Sequence, residues 1–232
     1  MRKVAIFGPV VAVMLLAPPA QAVERSSAPM RWSMGAGTEA GTLVEHGEMR
    51  ALATAKGVRM SVVTDGLVPG HAYTHWVVFF NHPENCVEGS VDGYRCGMAD
   101  FFVNPAADGS AVYGSGLASA TGTDDRFRAF VPASQMPATL DEFVVYAQWR
   151  MENTTSPIAG LSEEKIAGGS GLLVNPLGAE YQTVIIDHGP YDPERYGDDQ
   201  WTMHDGGCHV GEDNVCMWLQ ATGFMGVFPW SN

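Results

Sequence analysis

From Thr42 onward the chain alternates short apolar stretches with clusters of Gly, Pro, Asn and Asp, the rhythm of strands separated by turns. Val58, Met60 and Val62 interleave with Arg59 and Ser61, which predicts a strand with one buried face. Tyr73 to Phe80 (YTHWVVFF) is apolar on both parities and predicts a central strand covered on both sides. Phe143 to Arg150 (FVVYAQWR) and Tyr181 to Ile186 (YQTVII) are further strong candidates, with weaker ones at 111–117 and 126–131. The stretch 159–166 has the length of a short helix, but Gly160 weakens it. Residues 23–40 are rich in Gly, Ser and Ala and read as a flexible lead-in. The pattern predicts an all-β chain, arranged as one β-sandwich domain over 41–232.

The N-terminus has a different composition. Arg2 and Lys3 precede an apolar run from Val4 to Ala17, followed by Pro18-Pro19 and the small-residue triplet Ala20-Gln21-Ala22. That order of parts predicts a cleavable signal peptide over residues 1–22 and a secreted or periplasmic mature protein. The apolar run has 14 residues, interrupted by Gly8 and Pro9, short of the ~18–20 that a membrane-spanning helix needs. Cleavage removes two of the 13 basic residues, so the formal charge of −13 becomes −15. An acidic chain of this kind is expected to bind neither nucleic acid nor, once the signal is cleaved, an anionic membrane, because both need Lys and Arg to neutralise phosphates.

Export gives meaning to the four cysteines, Cys86, Cys96, Cys208 and Cys216. An even count in an exported chain favours two disulfides, and four cysteines allow three connectivities. Local pairing, Cys86 with Cys96 and Cys208 with Cys216, is preferred because each pair brackets a Gly-rich, turn-forming stretch. No C-x-x-C motif is present, which disfavours zinc-finger, thiol-oxidoreductase and covalent-haem readings.

Leu67-Val68-Pro69-Gly70-His71-Ala72-Tyr73 resembles the L-x-P-G-x-x-Y opening of fibronectin-type and immunoglobulin-like sandwiches, in which the tyrosine hydroxyl bonds to upstream backbone. The resemblance implies an immunoglobulin-like, Greek-key β-sandwich. More widely, YTHWVVFFNHPENC (73–86), Cys96-Gly97, NPLGAEYQTVIIDHGP (175–190) and HDGGC (204–208) resemble an uncharacterised group of secreted bacterial β-sandwich proteins. That resemblance implies one domain and carries no activity, cofactor or catalytic residue to transfer. The Gly-Leu-x-Pro-Gly-His stretch at 66–71 also resembles the strand-to-loop approach of the Cu,Zn superoxide dismutases. That family needs H-x-H on the following strand, and here His71 and His75 are four apart, which removes the core of its copper site.

For chemistry, the densest polar cluster is Asp187-His188-Gly189-Pro190, then Asp192, Glu194, Asp198 and Asp199, then His204-Asp205 and Cys208-His209. Polar residues at a strand end followed by a Gly-rich loop are a common place for a ligand site. If His188, His204 and His209 converge with an acidic residue they form a site for a divalent metal, Zn²⁺, Cu²⁺ or Ca²⁺. The plainer alternative is an acidic, solvated loop clamped by a disulfide. Trp201, in the polar loop from Asp198 to His204, is placed to stack on a ligand face beside Asp187, His188 and His204. Ser115 and Ser170 lie among glycines but fit no nucleophile motif. The sequence thus predicts an exported binding or structural module whose partner is an extracellular small molecule, polysaccharide or protein, with a metal-dependent protein centred on His188 and His204 as the alternative.

Overall fold

The computed structural model describes residues 22–33, 40–89, 91–134, 166–168, 170–196 and 217–223. Nine strands follow in chain order: β1 (Val23–Trp32), β2 (Leu43–Thr54), β3 (Gly57–Thr64), β4 (His71–Phe80), β5 (Gly109–Ala118), β6 (Asp125–Pro132), β7 (Ile166–Gly168), β8 (Glu180–Pro190) and β9 (Met217–Ala221). Helix α1 (Met98–Val103) lies in the β4–β5 connection, and one helical turn, α2 (Pro193–Tyr196), follows β8. The expected strands at 58–62, 73–80, 111–117, 126–131 and 181–186 all fall inside these elements. Phe143 to Arg150, the possible helix up to residue 165, Cys208 and Cys216 lie outside the described residues.

All strand pairings are antiparallel and run in the order β6-β3-β2-β1-β9-β8-β4-β5, with short β7 beyond β5. β5 returns beside β6, so eight strands make one nearly closed, barrel-like sheet. The order β3-β6-β5-β4 around this seam is a Greek-key arrangement. The two facing sheets of a sandwich are not what forms, and the reason is β1. Expected as a loose lead-in, Val23–Trp32 instead pairs with β2 along one edge and with β9 along the other. It thereby joins β6-β3-β2 to β9-β8-β4-β5, which would otherwise be separate sheets. Its buried positions, Ala28 and Met30, alternate around Pro29, and the register shifts between Pro29 and Arg31. A proline has no N–H to give a ladder and is tolerated at such an irregularity.

Strand β4 shows why its sequence is apolar on both parities. Tyr73, Val77 and Phe79 enter the barrel core with Met30, Met49, Met60, Phe127, Leu173 and Ile185. Trp76, Val78 and Phe80 face outward and are covered by Cys96, Met98, Phe101 and Ala107 of the β4–β5 connection. The Tyr73 hydroxyl accepts from Val68 N at 2.7 Å, the bond expected from the Pro-Gly-x-x-Tyr pattern, here on a barrel.

The covering connection is held by covalent and polar ties. Cys86 and Cys96 form a disulfide across a ten-residue separation. The Asp100 carboxylate accepts from Val87 N, Glu88 N, Gly97 N and Asn104 Nδ2 at 2.8–3.1 Å. Burial works against its charge, but these bonds outweigh burial and hold its pKa below the usual carboxylate value. At the end of β4, fully buried Asn81 donates to Asp108 and to Leu172 O and accepts from Val174 N and Asn175 N. Ser170 is also fully buried and donates to Asp108 through both its N–H and its hydroxyl.

The disulfide closes a short loop, so replacing both cysteines (Cys86→Ser with Cys96→Ser) is expected to lower unfolding free energy by about 2.5–3 kcal/mol. Urea unfolding of the two proteins reads this as a lower midpoint at similar slope. An unchanged midpoint would show that the clasp adds nothing to the folded unit.

Candidate functional site

Of the residues singled out by sequence, Asp187 and His188 lie at the end of β8, beside the start of β4. Trp201, His204 and His209 lie outside the described residues. The β4–β8 register sets Asp187 opposite Tyr73 and Ile186 opposite Thr74. Period-two alternation therefore sends Asp187 and His188 to different faces of the sheet. The Asp187 carboxylate, nearly buried, takes His71 Nδ1 at 3.0 and 3.1 Å on its two oxygens and the Gly189 N–H at 2.7 Å. Gly189 has φ +78° with open space around it, a turn that favours glycine.

On the other face, His188 Nε2 lies 2.7 Å from Thr74 Oγ1, and the Trp76 indole N–H donates to the same oxygen at 3.1 Å. An indole only donates, so Thr74 must accept from it, and its own hydroxyl hydrogen remains for Nε2. Thr74 is fully buried, and Trp76 and His188 are each 5% exposed. Burial outweighs the nearby Asp187 charge and pushes the His188 pKa down to about 4. His188 is therefore neutral near pH 7, with Nε2 committed to a threonine. Among the described residues no group of three or more His, Cys, Asp or Glu side chains is placed to hold one metal ion.

His75 is completely buried inside the barrel, against Phe127 at a ring separation of 5.6 Å. It sits in the core, but its hydrogen bonding is thin. Nδ1 is 3.5 Å from Ser115 Oγ, at the limit for such a bond, and buried Nε2 has no partner among the described residues. Desolvation pushes its pKa down to about 3. Behind it runs the β5–β6 seam, where a Cβ on Gly114 would stand 2.8 Å from His75 Nδ1 and 2.9 Å from Ala129 Cβ. Glycine is what lets β5 approach β6 over the imidazole.

A second surface has no counterpart among the sequence candidates. The registers of β1, β2, β3 and β6 align their outward positions in three rows: Arg25–Leu52–Arg59–Phe130, Ser27–Arg50–Ser61–Arg128 and Pro29–Glu48–Val63–Arg126. Five of the chain's 13 basic residues thus share one sheet face with one carboxylate, on a chain of net charge −13. All five arginines are exposed. Glu48 is occupied by Arg50 at 2.6 Å, a bond that lowers the Glu48 pKa. Arg25, Arg59, Arg126 and Arg128 have no hydrogen-bonded or ion-paired partner among the described residues. Arg25, Arg50, Arg59, Arg128, Leu52 and Phe130 line an open groove of about 880 Å³ that reaches Gly114 at the seam. Phe130 is 55% exposed although it is a large aromatic in mid-strand. The signal in the sequence was arginine at alternate positions, as in Arg126-x-Arg128-x-Phe130, but only strand register brings the four segments together.

No family model, curated protein or solved structure matches this chain.

The two buried histidines make stability depend on pH. Both are neutral in the folded protein and, once unfolded, bind a proton below about pH 6.5, so the unfolded chain holds more protons between about pH 6.5 and their folded values. Their contribution is complete above about pH 6.5 and is lost as pH falls toward 4, at up to about 1.4 kcal/mol per pH unit for each group. In urea titrations at several pH values, His75→Leu is expected to fall less steeply than wild type between about pH 6 and pH 4.5. An equally steep fall would contradict a buried neutral imidazole at position 75.

Proposed function

We propose that this chain is an exported, non-catalytic binding module that takes an anionic ligand on the arginine-bearing outer face of β1, β2, β3 and β6. One observation carries the reading: five exposed guanidiniums with one competing carboxylate, aligned by register on an otherwise acidic protein. Charge of one sign gathered on one face costs self-repulsion, and four of the five arginines have no carboxylate partner among the described residues to offset it. A bound anion relieves that repulsion. Guanidinium forks also bind carboxylate, sulfate and phosphate oxygens in pairs, which gives direction as well as charge. Export is supported by the basic, apolar and small-residue order of residues 1–22 and by the Cys86–Cys96 disulfide. The rim cluster of Asp187, His71, His188 and Thr74 fits a structural role, since its polar atoms are directed at one another.

Calorimetric titration with dextran sulfate, a generic polyanion, tests the surface. Wild type is expected to bind, and Arg59→Ser with Arg128→Ser to bind at least about tenfold more weakly. Arg95→Ser with Arg195→Ser, which removes equal charge elsewhere, is expected to change affinity less than about twofold. Absence of binding by wild type, or equal losses in the two double variants, would overturn the proposal.

A further inference from the structure

We infer that the ligand of the arginine face is a linear polysaccharide bearing carboxylates, laid across the strands from β1 to β6. This assignment rests on the reading of that face as the binding surface. Its first support is the spacing of the charges. Neighbouring strands lie about 4.8 Å apart and successive outward residues about 6.7 Å apart along a strand. Arg25 and Arg59 are separated by one strand, as are Arg50 and Arg128 in the next row. Each such pair of backbone positions is therefore about 9.6 Å apart. The arginines form two staggered lines crossing the sheet, with Arg126 extending the β6 end. A site for a small anion gathers donors around one group and shields it from water. These five side chains are all exposed and spread over a face, an arrangement that suits a ligand with charges repeated along its length.

What lies between the charges points to sugar rings. Leu52 and Phe130 alternate with arginine in one row, and Ser27 and Ser61 alternate with arginine in the other. A pyranose ring offers C–H groups to apolar side chains and hydroxyls to serines, so one chain of acidic sugars meets the arginines, the serines and the apolar side chains of the groove, whose one carboxylate, Glu48, is taken up by Arg50. Phe130, 55% exposed, offers a ring face in the groove that such a sugar ring would cover. A groove of about 880 Å³ has room for several rings.

The charge around the groove selects against wider polyanions. Beyond this face the chain is acidic, with a net charge of −13 that already includes the five arginines. Charges interact over about 8 Å at physiological salt. A DNA duplex or an anionic lipid plane is wider than a four-strand face and extends over more of a chain whose net charge is −13, whereas a single sugar chain stays within the basic strip. Single-stranded nucleic acid needs a series of aromatic platforms, and Phe130 is the one aromatic in the three rows. A guanidinium meets a planar carboxylate edge to edge through two hydrogen bonds, so arginine in all five places suits a chain of sugar carboxylates.

The test compares polygalacturonate, its fully methyl-esterified form, galacturonate monomer, dextran sulfate, duplex DNA and phosphatidylglycerol vesicles, each titrated into the full mature protein. Polygalacturonate is expected to bind at least about a hundredfold more tightly than the monomer, and the methyl ester to lose that binding. Arg59→Ser with Arg128→Ser should weaken polygalacturonate at least about tenfold, and Phe130→Ser about threefold or more. Circular dichroism of each variant establishes that it is folded. Monomer binding as tight as polymer, equal binding of the methyl ester, or tighter binding of DNA or vesicles would each overturn the assignment. If dextran sulfate binds through the arginines and polygalacturonate does not, the assignment of a carboxylate-bearing sugar chain falls while the anion-binding surface stands. If neither binds, both fall.

Discussion

Near-closure of a single antiparallel sheet is the constraint from which the other features follow. Once eight strands curve around one core, every inward position must fit a shared volume and every second residue is forced outward. β1 makes that closure possible by pairing on both edges, with β2 and with β9. Without it, β2 and β9 would each present an unpaired edge, and β6-β3-β2 would have no ladder to the rest. Small inward side chains, Ala28, Ala51 and Ala53, leave room for Met30, Met49 and Met60 to fill the barrel beside Phe127 and Tyr73.

Closure leaves β4 and its neighbour β8 buried on both faces, and the chain covers their outer side with a second layer. β4 needs a second apolar layer on its outer face, and the β4–β5 connection supplies it with α1 and the residues around Cys96. A loop of that length has many backbone N–H groups to satisfy near a dry surface. Asp100 gathers three of them, and Asn81 fixes the neighbouring segment at Val174 and Asn175. These polar residues do inside the covering layer what hydrogen-bond ladders do inside the sheet. At the β5–β6 seam the arrangement is incomplete among the described residues. There Gly114 lets the strands approach over His75, whose Nε2 is left without a partner.

The same alternation that builds the core also separates charge. Arg25, Arg50, Arg59, Arg126 and Arg128 belong to four strands, and each is ordinary as a solvent-facing residue. Ladder register sets them side by side, so the local sign of this face opposes the sign of the whole chain. Net charge therefore describes how the protein meets an extended partner, and register describes how it meets a narrow one. The rim residues picked out for chemistry behave differently: Asp187 and His188 project to opposite faces and are held by His71 and Thr74.

What the sequence determined by itself was local. Period-two alternation in Gly57–Thr64 and two-sided apolarity in His71–Phe80 mark strands and their burial, because both depend on the backbone repeat alone. The Tyr73–Val68 bond and the Cys86–Cys96 disulfide were legible for the same reason, since their partners lie 5 and 10 residues apart. Val23–Trp32 was not legible as a strand, because its alternating side chains are small and its pairing comes from β2 and β9. With β1 taken as a lead-in, a two-sheet sandwich was the natural expectation, and the barrel followed only from the tertiary pairings. The arginine face was hidden for a related reason: its residues span positions 25 to 128, and no periodicity within one strand says which strand lies beside it. Register between distant segments is set by how their inward side chains fill a common core, a property of the assembled sheet and not of any stretch of sequence.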